Sequence, residues 1–137
     1  MAIIRRPKHL VLILAREFAT RLATPMFVAD AEGTLVFYNE PAEELLGRTF
    51  ADAGEIAAEE WGSLFEVERL DGAPMALEEM PGGISLRERR AAHDTIRITG
   101  LDGVRRTISI TAFPLFARAD DFVGIVTVFW EAGEAPG

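Results

Sequence analysis

Few side chains in this 137-residue chain are of a type and spacing that could do chemistry. Cysteine is absent, which removes thiolate nucleophiles, disulfides, thiolate metal sites, and cysteinyl adducts of flavin or thioester chromophores. The two histidines are His9 and His93, too few for a multi-histidine metal centre. His93 stands beside Asp94, the only histidine with a carboxylate next to it. A serine triad would need a nucleophile on a strained turn, and Ser63, Ser85 and Ser109 all lack a G-x-S-x-G setting. The pairs Glu43/Glu44, Glu59/Glu60 and Glu78/Glu79 are adjacent in sequence. Adjacent residues on a helix diverge, so these read as solvated faces and not as acid–base pairs. A G-x-x-x-x-G-K loop is missing, and Lys8 is the single lysine. Gly82-Gly83 reads as a break in the backbone, not an anion cradle. What remains is one basic cluster, Arg87, Arg89 and Arg90, and one polar residue at a strand end, Asn39. Asn39 reads first as a helix N-cap and second as a group able to reach a cavity. No catalysis is expected.

Such residues need a scaffold, and the composition bounds it. A chain of 15.0 kDa is one ordinary domain. Hydrophobic residues at 49% and charged residues at 26% exclude disorder of the whole chain. The net charge of −8 is unevenly spread. Residues 1–24 carry Arg5, Arg6, Lys8, Arg16 and Arg21 against Glu17, whereas residues 40–80 carry twelve acids against Arg48 and Arg69. An acidic body of this kind is a poor nucleic-acid binder. The apolar run Leu10–Ala15 is far short of the roughly 20 residues that span a bilayer. It is also short for a signal peptide, so a cytoplasmic location with no membrane association is expected.

Hydrophobic periodicity supplies the elements. Residues 8–23 form an amphipathic helix, with Leu10, Val11, Leu14, Ala15, Phe18, Ala19 and Leu22 on one arc. That arc is wide for one contact and hints at two burial partners. Ile13 lies outside it. Met26–Asp30 and Thr34–Tyr38 read as a hairpin around Ala31-Glu32-Gly33. Asn39 then caps a helix that Gly47 ends. Glu55–Trp61 could form a turn or two of helix, and Pro81-Gly82-Gly83 delays the next helix to about Ile84. Strands follow at 94–99, 104–116 and 122–130. The last is apolar on both faces, so both faces of the sheet require cover.

The run from Met26 through Asn39 (MFVADAEGTLVFYN), followed by Ala42-Glu43-Glu44-Leu45-Leu46-Gly47, resembles the opening of a PAS domain. Asp71-Gly72-Ala73-Pro74, Glu78-Glu79-Met80-Pro81, Thr107–Leu115 and the closing Val123–Phe129 are similar to the rest of one. The resemblance covers residues 24–130. It is to a stand-alone bacterial PAS sensor domain, like those of sensor histidine kinases and phosphatase regulators. It implies an α+β PAS fold: a five-stranded antiparallel sheet, short helices on one face and the N-terminal helix outside the sheet. The implied domain map is 1–23 as a dimerisation and signalling helix, 24–130 as the PAS domain and 131–137 as a flexible tail. The implied function is sensing of an unknown small molecule in a pocket between sheet and helices, passed on through a homodimer or a downstream signalling protein. The alternative is a ligand-free dimerisation or protein-docking module.

Candidate pocket residues are Val28, Asn39, Leu46, Ile84, Ile96, Ile98, Ile110, Ala112, Val126 and Val128, with Arg87 and Arg90 as anchors for a ligand carboxylate. Candidate dimer residues are Leu10, Ile13, Leu14, Phe18, Val123, Ile125 and Phe129. A haem would take His93 as its axial ligand, but an exposed strand-edge histidine is the favoured reading. The cofactor is otherwise open. Two departures stand out: the break at Pro81-Gly82-Gly83, which would loosen one pocket wall, and no signalling helix after Trp130.

Overall fold

The computed structural model of the chain describes residues 7–60, 66–100 and 102–132. Trp61, Ser63 and the end of the expected tail, 133–137, lie outside the described residues. Helix α1 is Pro7–Thr20, with proline at the start, where its missing N–H costs nothing. Strands β1 (Met26–Asp30) and β2 (Leu35–Tyr38) form the expected hairpin. Helix α2 (Glu40–Leu46) begins at Asn39, whose side chain accepts from the Ala42 N–H, and ends at Gly47 in the left-handed region at φ 82°. Helix α3 is Phe50–Ala53, capped by Thr49. Residues 58–60 are helical. Strand β3 (Glu66–Glu68), a 3-10 turn at Leu77–Glu79 and helix α4 (Pro81–Glu88) lead into β4 (Ala92–Thr99), β5 (Arg105–Phe116) and β6 (Phe122–Glu131).

All pairings are antiparallel, in the order β2-β1-β6-β5-β4-β3. The sheet therefore has six strands where five were expected. The extra one, Glu66–Glu68, pairs with Arg97–Thr99 at the edge. It is short and acidic, without a hydrophobic alternation to betray it.

The sheet carries a core on each face. On the inner face Phe27, Ile96, Ile98, Ile108, Ile110 and Phe129 pack with Leu45, Leu46, Ile56 and Met80 of the helices and connections. On the outer face Met26, Val28 and Val126 pack against Ala19 of α1, with Leu12, Ala15 and Leu22 alongside. Helix α1 touches β6, β1, β2 and β5.

Helix α4 corrects the expected start near Ile84. It begins at Pro81 and includes both glycines, and the wall it forms is tight, not loose. A Cβ on Gly83 would lie 2.0 Å from the Leu77 carbonyl oxygen, so only glycine lets this turn sit so close. Tyr38 is buried, and its hydroxyl donates to the Arg48 carbonyl at 2.9 Å, pinning the α2–α3 connection to β2. Burial, reinforced by nearby Glu43, raises its pKa above the ordinary 10.0.

Two measurements follow. Phe129→Ala, removing a ring that is 1% exposed, should cost about 3–5 kcal/mol in urea unfolding, while Trp130→Ala next to it should stay near ~0.5 kcal/mol. The Tyr38 contribution is full below the unfolded-state pKa and is lost as pH rises through the higher folded-state value. Wild type should therefore lose stability at alkaline pH, and Tyr38→Phe should abolish that part of the pH dependence.

Candidate functional site

Between the inner sheet face and α4 lies a cavity of about 20 Å³. Its walls are Phe27, Met80, Gly82, Ile96, Ile98, Ile108, Ile110, Thr127 and Phe129. Ligand pockets for small molecules run to about 300 Å³ and more. This cavity has room for roughly one water. The Phe27 and Phe129 rings, both in the wall, meet edge to face at 4.8 Å. Thr127, buried on β6, brings the one side-chain hydroxyl among the lining residues. Ser85, one helical turn beyond Gly82 on α4, is fully buried, and its hydroxyl has no hydrogen-bond partner.

Of the candidate pocket residues, Ile96, Ile98 and Ile110 line this cavity. Ala112 is buried on the same strand, two residues further along, and Leu46 belongs to the inner core; neither reaches the cavity wall. Ile84 is half-buried on α4, while Gly82 supplies that wall. Val28, Val126 and Val128 are corrected outright, because they point to the outer face and pack in the α1 core. The candidate dimer residues on β6 are corrected in the same way. Val123, Ile125 and Phe129 are buried inside the subunit, Phe129 in the inner core and Ile125 against Ala29 and Phe122.

The reason is one-residue pleat geometry. In β4 and β5 polar and apolar residues alternate, so the face of each side chain can be read. In β1 and β6 both faces are apolar, and alternation carries no phase. Cross-strand partners share a face. Phe129 opposes Ile110 and Thr127 opposes Phe27, so the readable phase of β5 would have placed Phe129, Thr127 and Phe27 inside, given the register.

Asn39 does not reach the cavity. It is 2% exposed and wholly engaged at the α1–β1 connection and the start of α2. His93 is exposed, its Nδ1 lying 2.7 Å from Thr111 Oγ1 and its ring 6.2 Å from that of Trp130. Its strand neighbours Asp94 and Ile96 oppose Ile110 and Ile108, so His93 lies on the outer face, across the sheet from the cavity. A haem seated between sheet and helices would receive no ligand from it.

Arg87 and Arg90 both bind Glu88, at 3.0 and 2.7 Å, and Arg87 also donates to the Glu78 carbonyl. Hydrogen bonds from Arg90 first and Arg87 second lower the pKa of the exposed Glu88. These arginines neutralise a neighbour and do not line the cavity. Among the described residues, no three histidine, aspartate or glutamate side chains gather into a metal-ligating group. None of the described helices is long and apolar enough to cross a membrane.

The second notable feature is on α1. Leu10, Ile13, Leu14 and Phe18 are 44–60% exposed, although the opposite side of the same helix is packed on the sheet. The Arg16 guanidinium sits 4.8 Å over the Phe37 ring of edge strand β2. On a helical wheel Leu10, Leu14 and Phe18 form one exposed stripe away from the sheet-packed residues. Phe113 and Trp130, on the outer sheet face, are also exposed.

Searches of solved structures place this architecture. The PAS domain of BvgS from Bordetella pertussis matches 90% of this chain and 86% of its own, at 19% identity and a TM-score of 0.59. The PAS domain of nitrogen regulation protein NR(II) from Vibrio parahaemolyticus matches 87% of this chain and 98% of its own, at 13% identity and a TM-score of 0.58. The LOV protein of Rhodobacter sphaeroides matches 96% of this chain and 71% of its own, at 14% identity and a TM-score of 0.69. No protein-family model and no curated protein matched the sequence. The chain has the PAS-domain fold. In this fold helices and connections cover one sheet face and α1 the other.

A cavity this full predicts a specific penalty. Ile110→Trp has nowhere to place the larger ring and should destabilise the fold by about 1–3 kcal/mol, read as a lower urea midpoint at unchanged m-value.

Proposed function

We propose that this is a cytoplasmic, non-catalytic signalling domain that works as an interaction module, two copies associating through α1. The observation that carries this reading is the two-sided apolar character of α1. One side is packed on the outer sheet face, while Leu10, Ile13, Leu14 and Phe18 are left to water. An exposed apolar stripe on a helix is a common mark of an interface. Phe113 and Trp130 extend the surface onto the sheet, so a partner's α1 could lie between helix and sheet. Burial of several hundred Å² at ~25 cal/mol per Å² would be a substantial driving force, before association entropy is subtracted. Residues 1–23 thus act as the dimerisation segment and 24–130 as the body. Between the two functions weighed from the sequence, the water-sized cavity favours the ligand-free module over small-molecule sensing. One observation speaks for sensing: the unpartnered Ser85 hydroxyl beside the cavity wall, a polar group that a ligand could satisfy if the core opened.

Sedimentation tests the interaction reading. Wild type should run as a dimer at tens of micromolar, and Leu14→Asp with Phe18→Asp should run as a monomer with an unchanged far-UV spectrum. The basic N-terminal segment and the acidic 40–80 region can attract across the pair, so added salt should weaken the dimer. A monomeric wild type would sink the reading and leave α1 as an intramolecular cover.

A further inference from the structure

The outer sheet face does not end at α1. The helix packs on Met26 and Val28 of β1 and on Val126 and Val128 of β6. The cross-strand row that includes Val128 continues to Thr111 of β5 and then to His93 of β4. Cross-strand partners share a face, so Thr111 and His93 carry the outer face onward. Trp130 stands in the neighbouring row, opposite Ser109, and is 44% exposed. The His93 ring lies 6.2 Å from the Trp130 ring, tilted by 32°, and its Nδ1 is 2.7 Å from Thr111 Oγ1. This outer corner is an aromatic surface that ends in an exposed titratable group.

The charges around that corner are engaged elsewhere. On β4 the Asp94 carboxylate accepts from Thr95 N–H at 2.8 Å, and Arg97 opposes Thr107, further along the strand. Strands β5 and β6 present Ser109, Thr111, Phe113, Val128 and Trp130 there, all uncharged. On the α1 side, Arg16 sits over Phe37 of edge strand β2, and Arg21 pairs with Glu17. Ahead of β4, Arg90 is bound to Glu88. Among the described residues no carboxylate or guanidinium contacts the His93 ring.

A neutral imidazole fits such a corner whether it is open or covered. Its Nδ1 accepts from the Thr111 hydroxyl or donates to it, as the tautomer dictates. An imidazolium fits only while the corner is open. Exposed, the charge is solvated and is attracted by an indole face. Covered by another apolar surface, it loses its water and gains no carboxylate in exchange. A second copy's N-terminal segment would also bring Lys8, Arg16 and Arg21 against Glu17, a net charge of the same sign.

We propose that the corner formed by His93, Thr111 and Trp130 is part of the surface that receives a second copy of this chain, and that it makes the pairing acid-labile. This rests on the association through α1 argued above. With His93 neutral the corner is covered, and with His93 protonated the copies separate. The pair therefore binds fewer protons than its separated subunits, and pairing strengthens as pH rises. Histidine ordinarily changes charge between about pH 5 and 8, above the range of ordinary carboxylates. One unit below its midpoint a histidine is about ten-elevenths charged. A site that admits only the neutral form then loses about tenfold in affinity, and two symmetric sites about a hundredfold.

Sedimentation at about pH 7.5 and about pH 5.5, at one ionic strength, reads the effect. The wild-type Kd should rise about tenfold or more on acidification. His93→Gln keeps a polar partner for Thr111 and cannot take a charge, so its Kd should stay within about threefold over the same interval. His93→Arg carries the charge permanently and should pair about tenfold more weakly than wild type at the higher pH, with no further loss in acid. His9→Gln removes the chain's other histidine and should respond as wild type does. A wild-type dimer of constant Kd overturns the acid response and leaves the α1 association standing. So does a His93→Gln variant that weakens in acid as much as wild type. A wild type that is monomeric at both pH values overturns both readings together.

Discussion

Strand β6 lies between β1 and β5 and is apolar on both faces, and the architecture follows from that constraint. Phe129, Thr127 and Ile125 need cover on one side, Val126 and Val128 on the other. A two-layer α+β arrangement would satisfy only the first set. The connection between β2 and β4 supplies that cover through α2, Met80 and α4, and α1 supplies the other. Helix α1 is thus a structural layer of the domain as well as an appendage. Its second apolar face is an excess over what the sheet requires.

The inner layer is closed by small residues as much as by large ones. Gly83 lets α4 approach Leu77 until no room is left for a side chain there, and Gly82 lines the cavity. The aromatic pair Phe27 and Phe129, in edge-to-face contact, lines the small cavity that remains. Neighbours of the same fold include LOV proteins, but the fold alone does not hand on their chemistry. What a PAS scaffold does is decided by the contents of its cavity and by the covers of its sheet. Here the cavity is filled by the chain's own side chains, and the distinctive surface is on the outer helix.

Polar satisfaction concentrates at one place. Most of the buried side chains are apolar, and Asn39 is a buried polar residue with its hydrogen-bonding capacity spent on backbone groups of α1, β1 and α2. In a low-dielectric setting such a group is costly unless every partner is present, which makes the local geometry all-or-none. Ser85 is the contrary case, a buried hydroxyl without a partner, and it sits in the layer where α4 meets the sheet.

The sequence by itself determined five of the six strands, the helix of residues 8–23 to within a turn, the cap at Asn39 with its stop at Gly47, and the faces of β4 and β5. These are local matters: alternation of Thr-Ile-Ser-Ile-Thr, a side chain beside its own helix start, a glycine at a left-handed turn. Tertiary structure alone decided the rest. The pleat of β1 and β6 was set by pairing to β5, because an apolar residue at every position contains no phase. The close approach of α4 to Leu77 at Gly83 turned an expected helix breaker into a contact. The hold of Asn39 on Ala19 and Thr24 spans 20 and 15 residues of chain, a distance over which no local rule operates. Whether the pocket is open was settled last, since a cavity of about 20 Å³ is the small difference between large volumes that only the packed side chains define.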